Sequence, residues 1–243
     1  LGVTALPQEL AQAARETENN LTEDSAQVTI SGASIRSGRL EADVSITNLA
    51  GHKLPTAYPS RRAWLHVTIK DRNGQIIFES GALKPDGSIA GNANDLNPTR
   101  FEPHHQVIDE ENQVQIYEAI MVDPEDKVTT GLLRAIRFIK DNRILPQGFD
   151  KRSADDDIAV KGEAEADTDF KGGSDKIRYS VPVDPSRRPF SIQARLWYQP
   201  IGFRWAQNLK QQQAAEIERF VSYFNDNSGQ SGIVMASNMR SVE

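Results

Sequence analysis

Residues 40–47 read Leu40-Glu41-Ala42-Asp43-Val44-Ser45-Ile46-Thr47, so that small or apolar side chains alternate strictly with polar ones. Successive side chains of a β-strand point to opposite faces, and this alternation therefore predicts a strand with one buried and one solvated face. A second alternating run precedes it at residues 27–35, and Ser37-Gly38 provides a turn signal between the two. We therefore predict two antiparallel strands joined at Ser37-Gly38.

A second hairpin is predicted around Asn73-Gly74. Alternating residues 64–69 precede this dipeptide, and the β-prone run Gln75-Ile76-Ile77-Phe78 follows it. Asn-Gly between two such runs is a strong hairpin signal, because both central residues of a type I′ turn need a positive φ. The same patterning predicts strands within residues 112–122, 177–183 and 192–198, whereas residues 130–144 fit either a helix or a strand.

Helical spacing of apolar residues occurs near both ends of the chain. Residues 6–21 carry Pro7 in the first turn of a short amphipathic helix, which we expect to pack on the sheet. Residues 205–225 predict a second helix, with apolar residues at i, i+3, i+4 and i+7: Ile217, Phe220, Val221 and Phe224. Short strands, terminal helices and no βαβ alternation together predict a mainly β fold. We expect one domain over residues 1–243, an antiparallel, Ig-like β-sandwich with peripheral N- and C-terminal helices.

The composition excludes several classes of function. A formal net charge of −6 argues against a nucleic-acid partner, because phosphate binding needs a concentrated basic face. The apolar runs are far too short to span a bilayer, so we do not expect a transmembrane protein. No signal peptide is recognisable at Leu1, and we therefore expect a processed chain or a fragment.

Residues 153–176 are the most acidic segment, with eight acidic residues against three lysines. The segment has little apolar content, so we expect a solvated surface excursion. Diffuse calcium binding by its carboxylates is the alternative.

The chain contains no cysteine, which excludes disulfides, thiolate metal sites and covalent attachment of c-type haem. It also lacks the G-x-S-x-G, Walker and H-E-x-x-H motifs. Two paired carboxylates could catalyse glycoside hydrolysis, but a chain with 34 acidic residues always contains candidate pairs, so their presence is no evidence for that activity. We therefore expect no catalytic activity in this chain, and an enzyme is only the third hypothesis.

The four histidines differ in their surroundings. His66 lies in a predicted strand and is interpreted as structural. Adjacent His104 and His105 point to opposite faces of an extended segment and cannot easily chelate one ion together. His52 stands in a loop, where its imidazole could ligate a metal or haem iron or pin the loop by hydrogen bonding.

Two loops carry further candidate ligands. Arg61 and Arg62 could clamp a carboxylate or a haem propionate, or could close salt bridges over the loop. Oxygen atoms recur at close spacing in the glycine-rich loop at residues 91–95, which suits calcium better than a transition metal. These candidate calcium ligands are Asn92, Asn94 and Asp95, and an ordinary turn is the alternative.

Residues 48–59 read Asn48-Leu49-Ala50-Gly51-His52-Lys53-Leu54-Pro55-Thr56-Ala57-Tyr58-Pro59. This segment resembles the N-x-x-G-H-K-L-P-T-G-Y-P motif of the cysteine-free, β-rich C-terminal regions of bacterial multihaem c-type cytochromes. The resemblance continues through residues 100–104, 115–118, 140–146 and 196–198, and it departs at Ala57, where the family has glycine.

The resemblance implies a domain that packs against or ligates haem held by another chain or segment, in the bacterial periplasm or outside the cell. The residues then expected at the haem are His52, Lys53, Tyr58, Arg61, Arg62 and His104. The alternative is a stand-alone binding module for carbohydrate or protein, with or without stabilising calcium, that presents loop aromatics: Tyr58, Trp197, Tyr198 and Trp205. The first hypothesis predicts that His52 and Arg61 face a common surface next to an apolar patch. The second predicts an aromatic groove and no haem neighbour.

Overall fold

The computed structural model describes residues 4–243, so residues 1–3 of the predicted domain lie outside the described range. The strands in chain order are β1 (Ala26–Arg36), β2 (Arg39–Asn48), β3 (Arg62–Lys70), β4 (Ile76–Ser80), β5 (Val107–Ile108), β6 (Ile116–Tyr117), β7 (Ala119–Val122), β8 (Val128–Thr129), β9 (Arg137–Asp141), β10 (Ser174–Pro182), β11 (Phe190–Gln199) and β12 (Ile233–Val242). The helices are α1 (Pro7–Asn19), α2 (Ala93–Leu96), α3 (Phe203–Leu209) and α4 (Ala215–Asn227).

Two sheets share one apolar core. The first has the strand order β1-β2-β10-β5 and the second β12-β11-β3-β4, with β6 also paired to β3. Their inner faces supply alternate residues of β2, β3, β10 and β11, so the core contains Val44, Leu65, Ile177 and Ile192. A third, smaller sheet has the order β8-β7-β9. The predicted mainly β architecture with helices near both ends is confirmed.

The two predicted hairpins form, the first with its turn at Ser37-Gly38 as predicted and the second with a turn that differs from the prediction. Arg36 pairs with Arg39 across Ser37-Gly38, and both turn residues have positive φ, as a type I′ turn requires. The hairpin at Asn73-Gly74 instead has a longer loop in which only Gly74 has positive φ. The Asp71 carboxylate organises this loop by accepting hydrogen bonds from two backbone amides, at 2.9 Å each. A side-chain acceptor thus replaces the backbone geometry of a two-residue turn.

The helices differ from the prediction in two respects. The single helix predicted over residues 205–225 is two helices, α3 and α4, because the apolar spacing from Ile217 to Phe224 belongs to α4 alone. The polar residues 210–214 form the connection. Helix α1 has no buried residue and does not pack on the sheet as expected; Leu6 and Leu10 at its N-terminal end stay about half exposed. No helix within residues 4–243 is long and apolar enough to cross a membrane.

Other differences concern segments with mixed patterns. Residues 130–144 form the strand β9 after a turn rather than a helix, and residues 112–122 divide into β6 and β7, which belong to different sheets. Strand β12 was not predicted. It covers the outer edge of β11, and its buried residues are Met235 and Val242.

The acidic segment is not simply a solvated excursion. Val160, Ala164 and Phe170 enter the main core. Asp167 and Asp175, two of its eight acidic residues, are buried at 2% and 1% relative exposure. These carboxylates meet a histidine from elsewhere in the chain, as described below.

Candidate functional site

The loop between β2 and β3 is pinned at its start by Asn48, whose side chain is buried. The Asn48 amide donates to the carbonyls of His52 (2.8 Å) and Ile144 (2.9 Å), and its oxygen accepts from Ala50 N at 2.8 Å. The turn of residues 49–52 is therefore wrapped around one buried amide. The His52 side chain, in contrast, is exposed to solvent.

Lys53 faces inward, contrary to what a haem-binding role would require. Its Nζ donates to Asp141 Oδ2 at 2.7 Å, and Arg143 forms a second ion pair with the same carboxylate at 2.8 Å. Burial lowers the pKa of the Lys53 ammonium, with Asp141 opposing the shift. Burial by itself raises the pKa of the Asp141 carboxyl, but the hydrogen bonds and charges of Arg143 and Lys53 outweigh it and hold that pKa below its usual range. Lys53 is a buried anchor of the loop.

The second half of the loop presents Tyr58. Its side chain is 54% exposed. The preceding residue, Ala57, has a φ of 60°. This left-handed conformation favours glycine, so alanine at position 57 is strained. Arg61 is half-buried and donates from Nη1 to Thr56 O at 3.2 Å, so it closes the loop onto itself.

Arg62 forms an internal ion pair with Asp95, one of the three residues predicted as calcium ligands. Arg62 Nη1 donates to both oxygens of Asp95, at 2.8 and 3.0 Å. The same guanidinium donates to Gln199 Oε1 (2.8 Å) and Gly87 O (3.1 Å), and both charged side chains are almost fully buried. Arg62 is therefore not placed to hold a propionate.

The neighbouring asparagines also serve the fold. Asn92 caps the short helix α2 by accepting from Asn94 N at 3.0 Å, and Asn94 Nδ2 donates to Arg100 O at 2.6 Å. Asp95 Oδ2 accepts from Ile89 N at 2.8 Å in addition to Arg62. These contacts favour the turn interpretation of the loop over calcium ligation.

His104 lies in the interior with Asp167 and Asp175, and we name these three residues the His104 cluster. His104 Nε2 is 3.1 Å from Asp167 Oδ2 and 3.8 Å from Asp175 Oδ2. One ligand atom from each residue lies within 4.8 Å of the others, which is the spacing of a metal site. His104 is thus remote from solvent and is not presented to an external haem. Sequence reasoning missed Asp167 and Asp175, although Asp175 lies two residues before the buried Ile177 in β10, on the same face, and its burial was predictable from that spacing.

The other histidines behave as predicted. His105 turns away from His104 and lies 3.0 Å from Glu102 Oε2. His66 is half-buried in β3 and lies 2.9 Å from Glu79 Oε1. The His66 pair joins the neighbouring strands β3 and β4, whereas the His105 pair lies within one segment.

An apolar groove of about 500 Å³ lies beside the loop. Tyr58, the turn before β9, and helices α3 and α4 line it. Leu133 at its rim is fully exposed, and Leu132 is 42% exposed. Its principal apolar residues are Tyr58, Leu132, Leu133, Trp205, Leu209 and Phe220. We take this groove as the candidate binding surface of the chain.

The four aromatic residues considered for a binding module do not form one surface. Trp205 joins Tyr58 in the groove, but Trp197 stacks on the buried Trp64 with ring centroids 5.8 Å apart. Tyr198 lies half-buried in β11. The groove itself combines three aromatic side chains with leucines: Tyr58, Trp205 and Phe220 with Leu132, Leu133 and Leu209.

The fold is similar to part of a penta-haem cytochrome. The crystal structure of penta-haem cytochrome c552 from Thermochromatium tepidum matches 92% of this chain, with a TM-score of 0.51 and 14% sequence identity. This chain covers 41% of the length of that cytochrome chain. No protein-family model and no curated protein sequence matches the chain. At this identity the likeness concerns the fold alone.

Proposed function

We propose that this chain is a non-catalytic domain of a multihaem cytochrome electron-transfer system and that its apolar groove packs against a segment that carries haem. The chain itself has no cysteine, so the haem would be held covalently by another chain or segment. A periplasmic or extracellular location in a bacterium is part of the proposal.

The groove is the observation that carries this proposal. A fully exposed leucine next to an exposed tyrosine and an exposed turn leaves apolar area in water, and a partner surface would remove that area from water. The likeness to part of a penta-haem cytochrome supports a haem-bearing partner rather than another protein. The sequence resemblance around His52 supports the same partner.

His52 suits contact with haem better than the other predicted residues do. Its ring is exposed, while Asn48 and Lys53 fix the backbone on either side of it. An imidazole on a backbone fixed in this way can approach a haem edge or an open iron position. Tyr58 connects the same loop to the groove.

The proposal is tested by purifying the tagged full-length chain from its native host and recording the absorption spectrum of the complex. We expect a Soret band and a co-purifying c-type cytochrome. Leu133→Asp should lower the yield of cytochrome at least tenfold, because burial of a leucine contributes about 1.5–3 kcal/mol. Leu96→Asp is the matched control, since Leu96 is 72% exposed and does not line the groove.

The possible results separate the parts of the proposal. A preparation without a Soret band, or equal yields from the two leucine variants, would refute the docking proposal. His52→Ala tests ligation alone: an unchanged spectrum would remove the ligand role of His52 and leave the packing role intact.

A further inference from the structure

The His104 cluster buries two carboxylates without a basic partner. The side chains of Asp167 and Asp175 are 3% and 0% exposed. Within residues 4–243, no lysine or arginine nitrogen lies within 4.0 Å of either carboxylate. Lys151 comes near, but its Nζ donates to the backbone carbonyls of Ala164 and Asp167. Two buried negative charges without a cation are strongly unfavourable, so the cluster needs a proton or a metal ion.

The hydrogen bonds of His104 decide whether the cluster holds a proton or a metal ion. Its Nδ1 accepts from Gln115 Nε2 at 2.8 Å and from Asn142 Nδ2 at 3.1 Å. Both amide orientations are fixed, because Gln115 Oε1 accepts from His105 N and Asn142 Oδ1 accepts from Glu118 N. Nδ1 therefore carries no proton, and the ring proton sits on Nε2 and points at Asp167.

This tautomer does not suit a metal ion. A neutral histidine that ligates through Nε2 carries its proton on Nδ1 and donates it to an acceptor. Here Nδ1 faces two donors, so ligation through Nε2 would require both amides to turn and to lose their backbone partners. The spacing of the three ligand atoms is that of a metal site, but the surrounding donors are not.

The proton has a defined place. Tyr117 Oη and Asp175 Oδ2 are 2.6 Å apart, a distance at which either oxygen can be the donor. Asp175 Oδ1 already accepts from Lys176 N at 2.8 Å. A proton at Oδ2 is therefore shared with the tyrosine hydroxyl.

We propose that the His104 cluster is a metal-free latch that holds one acidic proton between Asp175 and Tyr117, while His104 stays neutral and donates to Asp167. The latch joins the acidic segment to strands β6 and β10. It is independent of the proposed haem partner, since all of its groups are buried inside this chain.

The charged groups around the cluster are consistent with this arrangement. Burial raises the pKa of Asp175 to about 7, with Asp167 and Asp169 adding to the shift and the bonds from Tyr117 and Lys176 opposing it. Burial also lowers the pKa of His104 to about 3. The other titratable groups that act on His104 are Lys140, His105 and Lys151, which favour the neutral ring, and Glu163, which opposes them.

The latch predicts an unusual pH dependence of unfolding. In the unfolded chain, aspartate has a pKa of about 3.9 and histidine of about 6.5. Between about pH 4 and 6.5, the unfolded chain thus carries a proton on His104, and the folded chain carries it on Asp175. Unfolding then moves this proton without changing the number bound, and the cluster contributes no net slope in that range.

Substitutions should expose the two opposite slopes. Asp175→Asn leaves only His104, whose pKa is lower in the folded state; stability is then lost as the pH falls below about 6.5. His104→Gln leaves only Asp175, whose pKa is higher in the folded state; its contribution is full below about pH 4 and is lost as the pH rises to about 7. Each slope corresponds to about a tenfold change in the unfolding constant per pH unit.

The experiment is urea unfolding of the full chain from pH 4.5 to 8, with both variants and Asp155→Asn. Asp155 is an exposed acid of the same segment, and its variant should follow the wild type. Relative to the wild type, the two cluster variants should diverge in opposite directions below about pH 6.5. Parallel profiles would overturn the proposal.

Two measurements on the wild-type chain apply even if a variant does not fold. The ¹⁵N spectrum of His104 should show a non-protonated Nδ1 from pH 5 to 8, and elemental analysis should find no stoichiometric metal. A protonated Nδ1, or a bound metal whose removal by a chelator lowers the unfolding midpoint, would refute the latch.

Discussion

Replacement of Arg62 by methionine should destabilise the fold severely, because it would leave Asp95 buried and without its charge partner. Arg62 makes four hydrogen bonds to side chains and backbone, two of them to the Asp95 carboxylate. The side chains are 4% and 1% exposed, so water cannot replace the lost contacts without opening the structure. Removing one partner of a buried ion pair costs about 3–5 kcal/mol.

The assay is urea denaturation of the full chain, followed by circular dichroism and tryptophan fluorescence. Trp64 is a local reporter, since its ring lies 5.9 Å from the Arg62 guanidinium. Domains of ordinary stability have about 5–15 kcal/mol to lose, so the Arg62→Met midpoint should remain measurable. The matched control is Arg137→Met, which breaks an exposed pair with Asp126 and should cost at most about 1 kcal/mol.

A double-mutant cycle identifies the partner. Asp95→Asn keeps an acceptor for Ile89 N but removes the charge, and the double variant should lose less stability than the two single variants together, by about 2–3 kcal/mol. Additive losses, or a loss below about 1 kcal/mol for Arg62→Met, would refute the internal ion pair. Binding of a carboxylate or a haem propionate by Arg62 would then again be a valid hypothesis.

Three further substitutions test local geometry by the same unfolding assay. Gly81→Ala should cost at least about 3 kcal/mol, because the new Cβ would lie 2.3 Å from Leu65 O at a φ of +81°; a smaller loss would mean that the strand shifts easily. Tyr179→Phe should be neutral or stabilise by up to about 1 kcal/mol, since the buried hydroxyl has no hydrogen-bond partner among residues 4–243, and a clear loss would reveal a partner. Ala57→Gly should stabilise by about 0.5–1 kcal/mol by relieving a φ of 60°, and a loss would show that chain entropy outweighs the strain.

Strands β2, β10 and β11 of the two large sheets were predictable because their signal is local, whereas β12 was not predicted. In β2, every second residue from Leu40 is buried, and the same period holds in β10 and β11. The break between α3 and α4 was not predictable in this way. The helical spacing that begins at Ile217 says nothing about residues 210–214, and a polar connection resembles the solvent face of a longer helix.

The site was less predictable because its charges pair across long stretches of chain. Asp95 lies 33 residues from Arg62, and Asp167 lies 63 residues from His104. Composition identifies such residues as polar but cannot say whether each will meet water, an ion or a partner side chain. Asp175 is the exception, since its position in an alternating strand already indicated an inward direction.

The loop between β2 and β3 has both internal charge pairs and exposed side chains. Its unusual mixture of basic and aromatic residues suggested one binding surface, yet Lys53, Arg61 and Arg62 all bind groups of this chain. Internal anchoring therefore accounts for most of the polar content of the loop. It leaves His52 and Tyr58 as its exposed side chains of functional interest, one on a pinned turn and one at an apolar groove. A partner that recognises this loop must do so through an imidazole and an apolar surface, and not through a cluster of positive charge.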